Sequence, residues 1–155
     1  MRQQGKSVTH YHGSRRQFPV GFILRPQPDG YVHGVQGDAL DAQIRRIERL
    51  FEKHRPPHMI SRLEAVFLAP SVVAIAYGGG NDTHVYEVEP IGVCEQSCLW
   101  WYDNAERYLL DGNRLPSRSA REWAVNYWHN VPPPEGRLVT HEYRCRAARV
   151  TGVVR

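Results

Sequence analysis

The sequence predicts an α+β fold. Its strand-like runs are short and come in groups, and its helical segments are few, without the regular strand–helix alternation of a doubly wound sheet. Two segments carry an apolar stripe at helical spacing, while most of the rest is punctuated by proline and glycine. At 155 residues the chain has a length that favours a single domain over 1–155 and can bury a core without a metal or disulfide staple.

Taken in order, residues 7–12 alternate and are β-prone, and Gly13-Ser14 is expected to close that strand in a turn. Residues 19–37 read as loop, with room for a strand at Phe22, Ile23 and Leu24. Residues 38–54 predict a helix: Leu40, Ile44, Ile47, Leu50 and Phe51 share one face, Asp38 is placed to cap it, and Pro56-Pro57 ends it. The opposite face carries Arg45, Arg46, Arg49 and Lys53, the pattern of a solvated surface. A buried strand is expected over 63–69, a short helix over 72–77 after Pro70-Ser71, and a strand over 84–89 closed by Pro90 and Gly92. An aromatic-rich stretch follows, with a helix expected over 103–110. Ser119 and Glu122 have the spacing of a capping box, opening a helix whose stripe is Ala120, Trp123, Ala124, Tyr127 and Trp128. Two final strands are expected, over 138–146 and 149–154.

The totals exclude several classes. Hydrophobic residues make up 41% and charged residues 23%, the balance of a globular chain rather than a disordered one. No apolar stretch has the length of a membrane span, and residues 1–7 lack the apolar segment of a secretory signal. Cys94, Cys98 and Cys145 are too few for a disulfide framework, which argues for a reducing compartment and a cytoplasmic location. Their spacing does not make a zinc site, so no metal is expected. The net charge of +4 suits an anionic ligand or partner without choosing among dinucleotide, nucleic acid and acidic protein.

Three places have residues that suit chemistry. His12 followed by Gly13 and Ser14 sets an imidazole beside backbone that a flat amide can approach, because glycine has no Cβ. Phe67 and, ten residues on, Tyr77 are placed to flank one flat aromatic ligand. Glu142 lies in a strand-like run with Leu138, Val139, Tyr143 and Cys145, where a half-buried carboxylate needs a partner or a task. Each has a plain alternative: a simple turn, two core rings, and an edge glutamate facing water.

Their order along the chain resembles the ADP-ribosyltransferase superfamily, in the branch of diphtheria toxin and the poly(ADP-ribose) polymerases, whose signature is His, Tyr, Glu. Val66-Phe67-Leu68-Ala69 through Tyr77 is similar to that branch's two-tyrosine segment. The run His84 to Gly92 and the segment Tyr143-Arg144-Cys145-Arg146 through Val153 also look like the small bacterial rifampin ADP-ribosyltransferases. The resemblance covers roughly residues 9–153, without 25–60 and 97–135. It implies split antiparallel β-sheets with a few flanking helices, and NAD⁺ as co-substrate. His12 would bond the nicotinamide ribose and Gly13 would hold the carboxamide through its backbone, with Ser14 in place of the common threonine. Phe67 and Tyr77 would sandwich the nicotinamide, and Glu142 would hold the ribose 2′-hydroxyl and help the acceptor attack. Two departures stand out. Phe67 replaces the usual tyrosine, and Glu95, after the Glu89-Pro90-Ile91-Gly92 segment, sits where the rifampin branch puts its acidic residue. Glu142 is preferred because the Glu142-Tyr143 pair begins a strand-like run, as in the toxin and polymerase branch.

The expected activity is therefore mono-ADP-ribosyl transfer to an acceptor that is a protein, a nucleic acid or a small molecule. A catalytically inactive NAD⁺- or ADP-ribose-binding module is the alternative. A basic nucleic-acid-binding protein, using Arg45, Arg46, Arg49 and Lys53, is a third reading.

Overall fold

The computed structural model describes residues 8–26, 38–77, 82–115 and 117–155, with residues 38–41 and 77 described by their backbone alone. Five strands, β1 (His10–Ser14), β2 (Ile23–Leu24), β3 (Val66–Leu68), β4 (His84–Cys98) and β5 (His141–Val153), alternate irregularly with α1 (Asp38–Lys53), α2 (Val72–Tyr77), α3 (Trp100–Leu110) and α4 (Arg118–Trp128). The fold class is α+β, as the grouping of short strands predicts.

All strand pairs are antiparallel. The strands form one hydrogen-bonded sheet in the order β1-β4-β5-β2, with β3 also on β5, rather than two separate sheets. A single backbone bridge, Tyr11 with Ala69, brings the end of β3 onto the free edge of β1. The sheet is bent where β4 shifts register, between Glu87 and Val88 and between Ile91 and Cys94.

Several expected boundaries move. The first strand runs through Gly13 and Ser14 instead of stopping before them. β4 does not end at Pro90 and Gly92. β1 reaches only to Val88, so among the described residues no strand pairs with Pro90 on that side and its missing N–H is tolerated, and Gly92, at φ 78°, takes the left-handed turn of the second register shift. The expected strand over 63–69 divides into a 3₁₀ turn (Arg62–Glu64) and β3. α3 begins at Trp100, three residues before Asp103, on Leu99, which offers no capping side chain. The cap of α4 is Ser117, whose Oγ accepts from Ala120 N at 3.1 Å, so Ser119 lies inside the helix. The two final strands are one, continuous through the buried Ala147 and Ala148.

The core has two parts. Ile47, Leu50 and Phe51 of α1 pack with Tyr102 and Leu109 of α3 and Ala124, Tyr127 and Trp128 of α4. Leu24, Val66, Leu68, Tyr86, Val88 and Val150 form a second cluster on the strands. The stripe expected on α1 is the buried one, apart from Leu40, whose side chain is outside the described residues. Arg45, Arg46, Arg49 and Lys53 are exposed. Among the described residues no helix is long and apolar enough to cross a membrane.

Candidate active site

One cavity collects four of the residues singled out from sequence. His12 and Gly13 of β1, Phe67 of β3 and Glu142 at the start of β5 all line it, with Ala74 and Ile75 of α2 forming an apolar wall. His12 and Glu142 are separated by most of the chain, and strand pairing brings them together. β3 pairs with β5, placing Phe67 opposite Arg144, and its end bridges to β1 beside His12.

The backbone of β1 is open at this cavity. Tyr11 uses its N–H and C=O on Ala69, at 2.9 and 2.8 Å. Strand alternation points the N–H and C=O of Gly13, two residues on, towards the same edge. The opposite side gives the same answer. Val85 faces Gly13 across the sheet but bonds away from it, to Val154 and Arg155. The pair is therefore a non-hydrogen-bonded one, and Gly13 presents a donor and an acceptor to the cavity. Among the described residues no strand reaches them there, because β3 ends at Leu68.

His12 is oriented by a neighbour. Its Nδ1 lies 3.0 Å from the carbonyl oxygen of Phe67. A carbonyl only accepts, so Nδ1 carries the proton and Nε2 of the neutral ring is an acceptor. Burial lowers the pKa of this imidazole, against the smaller opposing effect of the Phe67 carbonyl, which keeps the ring neutral at pH 7.

Glu142 is nearly buried and held at one oxygen. Its Oε2 accepts from Arg62 Nη1 and from the Tyr127 hydroxyl. Tyr127 Oη also accepts from Arg62 at 2.6 Å and Arg144 at 2.8 Å, so its own proton is directed at Glu142. Among the described residues Oε1 of Glu142 receives no hydrogen bond, and the side chain lines the cavity. The arrangement offers a ligand a carboxylate with one oxygen fixed and one available.

Behind it lies a buried charge network whose members carry no joint signal in the sequence. Arg62 is fully buried and donates to Glu48 through Nε at 3.0 Å and Nη2 at 3.2 Å. Tyr102 donates to the same Glu48 carboxylate at 2.8 Å. The Arg62 guanidinium lies 4.1 Å from the Tyr102 ring centre, 4.9 Å from Phe67 and 5.2 Å from Tyr127. Burial alone would lower the pKa of Arg62; the carboxylates of Glu142 and Glu48, with the two tyrosines, outweigh it and hold the pKa well above its ordinary value. One signal for Glu48 was present in the sequence: it stands four residues after Ile44 and three before Phe51, inside the apolar stripe of α1, and is 4% exposed.

The other expected site residues lie elsewhere. Glu95 does not line the cavity; its Oε1 accepts from Ile60 N at 2.5 Å and stands 4.0 Å from Arg144. Ser14 is also off the lining, and its Oγ accepts from Arg16 N. The side chain of Tyr77, expected to pair with Phe67 about the nicotinamide, lies outside the described residues. Among the described residues no group of three or more His, Cys, Asp or Glu side chains is placed to hold a metal ion. The three cysteines are unbridged.

Compared with models of known families and with curated proteins, the chain matches none.

Proposed function

We propose that the chain is an NAD⁺-dependent mono-ADP-ribosyltransferase whose nicotinamide end binds in the cavity between β1, β3, α2 and β5. The observation that carries the reading is the convergence of the Gly13 edge, the His12 acceptor, the Phe67 ring and the Glu142 carboxylate on one pocket. A carboxamide has one acceptor and donors on one flat group, and it matches the C=O and N–H of Gly13. The nicotinamide ring would lie against Phe67. A ribose hydroxyl would donate to His12 Nε2, and another to Glu142 Oε1.

In the reaction the bond between C1′ and the nicotinamide nitrogen breaks, and its electron pair returns to the ring, which leaves neutral. Positive charge grows on the ribose, and the Glu142 carboxylate stabilises it. A lone pair of the acceptor then bonds to C1′ from the opposite face, and the acceptor's proton is released. NAD⁺ is consumed as a co-substrate, and no step calls for a metal. The acceptor is a protein, a nucleic acid or a small molecule. The three unbridged thiols suit a cytoplasmic setting.

One observation favours a second reading, an inactive NAD⁺- or ADP-ribose-binding module: Oε2 of Glu142 is already tied to Arg62 and Tyr127. Calorimetric titration with NAD⁺ and with ADP-ribose separates the readings when paired with turnover. Binding that weakens at least about tenfold in His12→Ala supports the site. Equal affinity in that variant removes His12 from it, and binding without any nicotinamide release favours the inactive module.

A further inference from the structure

We infer that Arg62 is a positioning residue for the Glu142 carboxylate, held from behind by Glu48 and flanked by Tyr127. The inference rests on the reading that Glu142 meets the ligand in the cavity.

A glutamate has three side-chain torsions, and Glu142 is the second residue of β5, just after the exposed Leu138 and Val139. Two donors on a single oxygen remove that freedom. Arg62 is itself placed with unusual care. Its backbone N–H donates to Glu52 of α1 at 3.0 Å, and the Ser61 hydroxyl donates to the same oxygen at 2.8 Å. One residue earlier, Ile60 N–H donates to Glu95 of β4. Helix and sheet thus both grip the segment that delivers the guanidinium. This gives Glu95 a task outside the cavity.

Neutralising Arg62 does not by itself require Glu142. Glu48 already pairs with it through Nε and Nη2, which leaves Nη1 for Tyr127 and Glu142. What the third contact adds is a fixed place for Glu142. The carboxylate is therefore preorganised before any ligand arrives, so that its charge need not be reoriented as the ribose becomes cationic. A misplacement of about 1 Å at such a group costs on the order of a hundredfold in rate.

The test uses the full chain, NAD⁺ and a cell lysate as the source of acceptor. The variant Arg62→Gln/Glu48→Gln replaces that ion pair by two neutral amides, so that Glu48 is not stranded, while Glu142 keeps the Tyr127 hydroxyl as its donor. Tyr127→Phe keeps the ring and removes the hydroxyl, both its bond to Glu142 and the bonds it accepts from Arg62 and Arg144. Each is expected to lower kcat for nicotinamide release at least about tenfold while the Kd for NAD⁺ changes less than about threefold. A merely structural role would lower thermal stability and leave the kcat of the folded fraction alone. Folded variants with kcat within about twofold of wild type overturn the inference. So does a rise in KM with kcat unchanged, which would assign Arg62 to ligand binding. If the double variant does not fold, Arg62→Lys, which keeps a cation but cannot fork between Glu48 and Glu142, is measured in its place with the same expected loss in kcat. A wild-type protein that neither binds nor cleaves NAD⁺ overturns the proposed function, and this inference with it. Active wild type with normally active variants overturns this inference only.

Discussion

Replacing Arg62 by methionine is the most demanding test of the buried network's energetics. Methionine keeps much of the stem among Phe67, Tyr102 and Tyr127 but removes every bond to Glu48, Glu142 and Tyr127. Among the described residues Glu48 would then keep only the Tyr102 hydroxyl while 4% exposed. Removing one partner of a buried pair costs about 3–5 kcal/mol, a large share of the roughly 5–15 kcal/mol that holds a domain folded. A second variant, Arg62→Met/Glu48→Leu, removes the stranded carboxylate together with its partner. Apolar replacement of a whole buried pair is often neutral or stabilising by about 1–4 kcal/mol, and because Glu142 loses Arg62 in both variants that gain is read against the single variant. Tyr102 loses an acceptor and offsets part of that gain, by about 1 kcal/mol. The double variant is therefore expected to be more stable than the single. Urea unfolding, followed by tryptophan fluorescence and by far-ultraviolet circular dichroism, gives both free energies if the two transitions coincide. A loss below about 1 kcal/mol in the single variant, or a double variant less stable than the single, would refute this account of the network.

NAD⁺ binding should depend on pH through His12. Burial lowers its pKa, so affinity is expected to be flat from pH 8 to 7 and to weaken only on the acid side of the ordinary histidine range, when protonation turns the Nε2 acceptor into a donor. A loss of affinity that begins above pH 7, or that is equal in His12→Gln, contradicts the assigned role of Nε2. Asp103 gives a prediction of the opposite sign: burial, then Glu106 and Glu142, raise its pKa to about 7, so the folded chain holds a proton that the unfolded chain releases near pH 4. Stability from this group falls as the pH rises from about 4 to about 7, and Asp103→Asn should match wild type at pH 4 and exceed it at pH 8 in thermal midpoint. A variant less stable at pH 8 counts against that assignment. Ser117→Ala should cost about 1 kcal/mol by removing the α4 cap, whereas Ser119→Ala should cost less than about 0.5 kcal/mol. The reverse order in urea unfolding would restore Ser119 as the cap.

What was legible in the sequence was periodic or short-range. The stripe of α1 and that of α4 identify their buried faces, because apolar residues three and four apart share one side of a helix. Pro90 and Gly92 usually end strands, so the sequence alone predicts a shorter β4; among the described residues an unpaired edge and a bulge absorb them, and neither is visible without the partner strands. α3 starts early because packing of Tyr102 and Ala105 holds its first turn without a cap. At the cavity, His12, Gly13, Phe67 and Glu142 could be picked out by type and order, although only pairing across the sheet shows that they meet. Arg62 was the residue most hidden. It lies beside a segment that reads as an ordinary strand entry, and its task depends on Glu48, Tyr127 and Glu142, which are remote from it in the chain.

The most direct measurement is nicotinamide release from NAD⁺ by the purified protein, with and without cell lysate, for wild type and Glu142→Gln. The account predicts release by wild type that lysate increases, and a loss of at least about a hundredfold in the variant with NAD⁺ affinity retained, the scale of a lost transition-state charge contact. Equal release by the two proteins would contradict the role of Glu142, and no release by wild type in the presence of lysate would contradict the transferase itself.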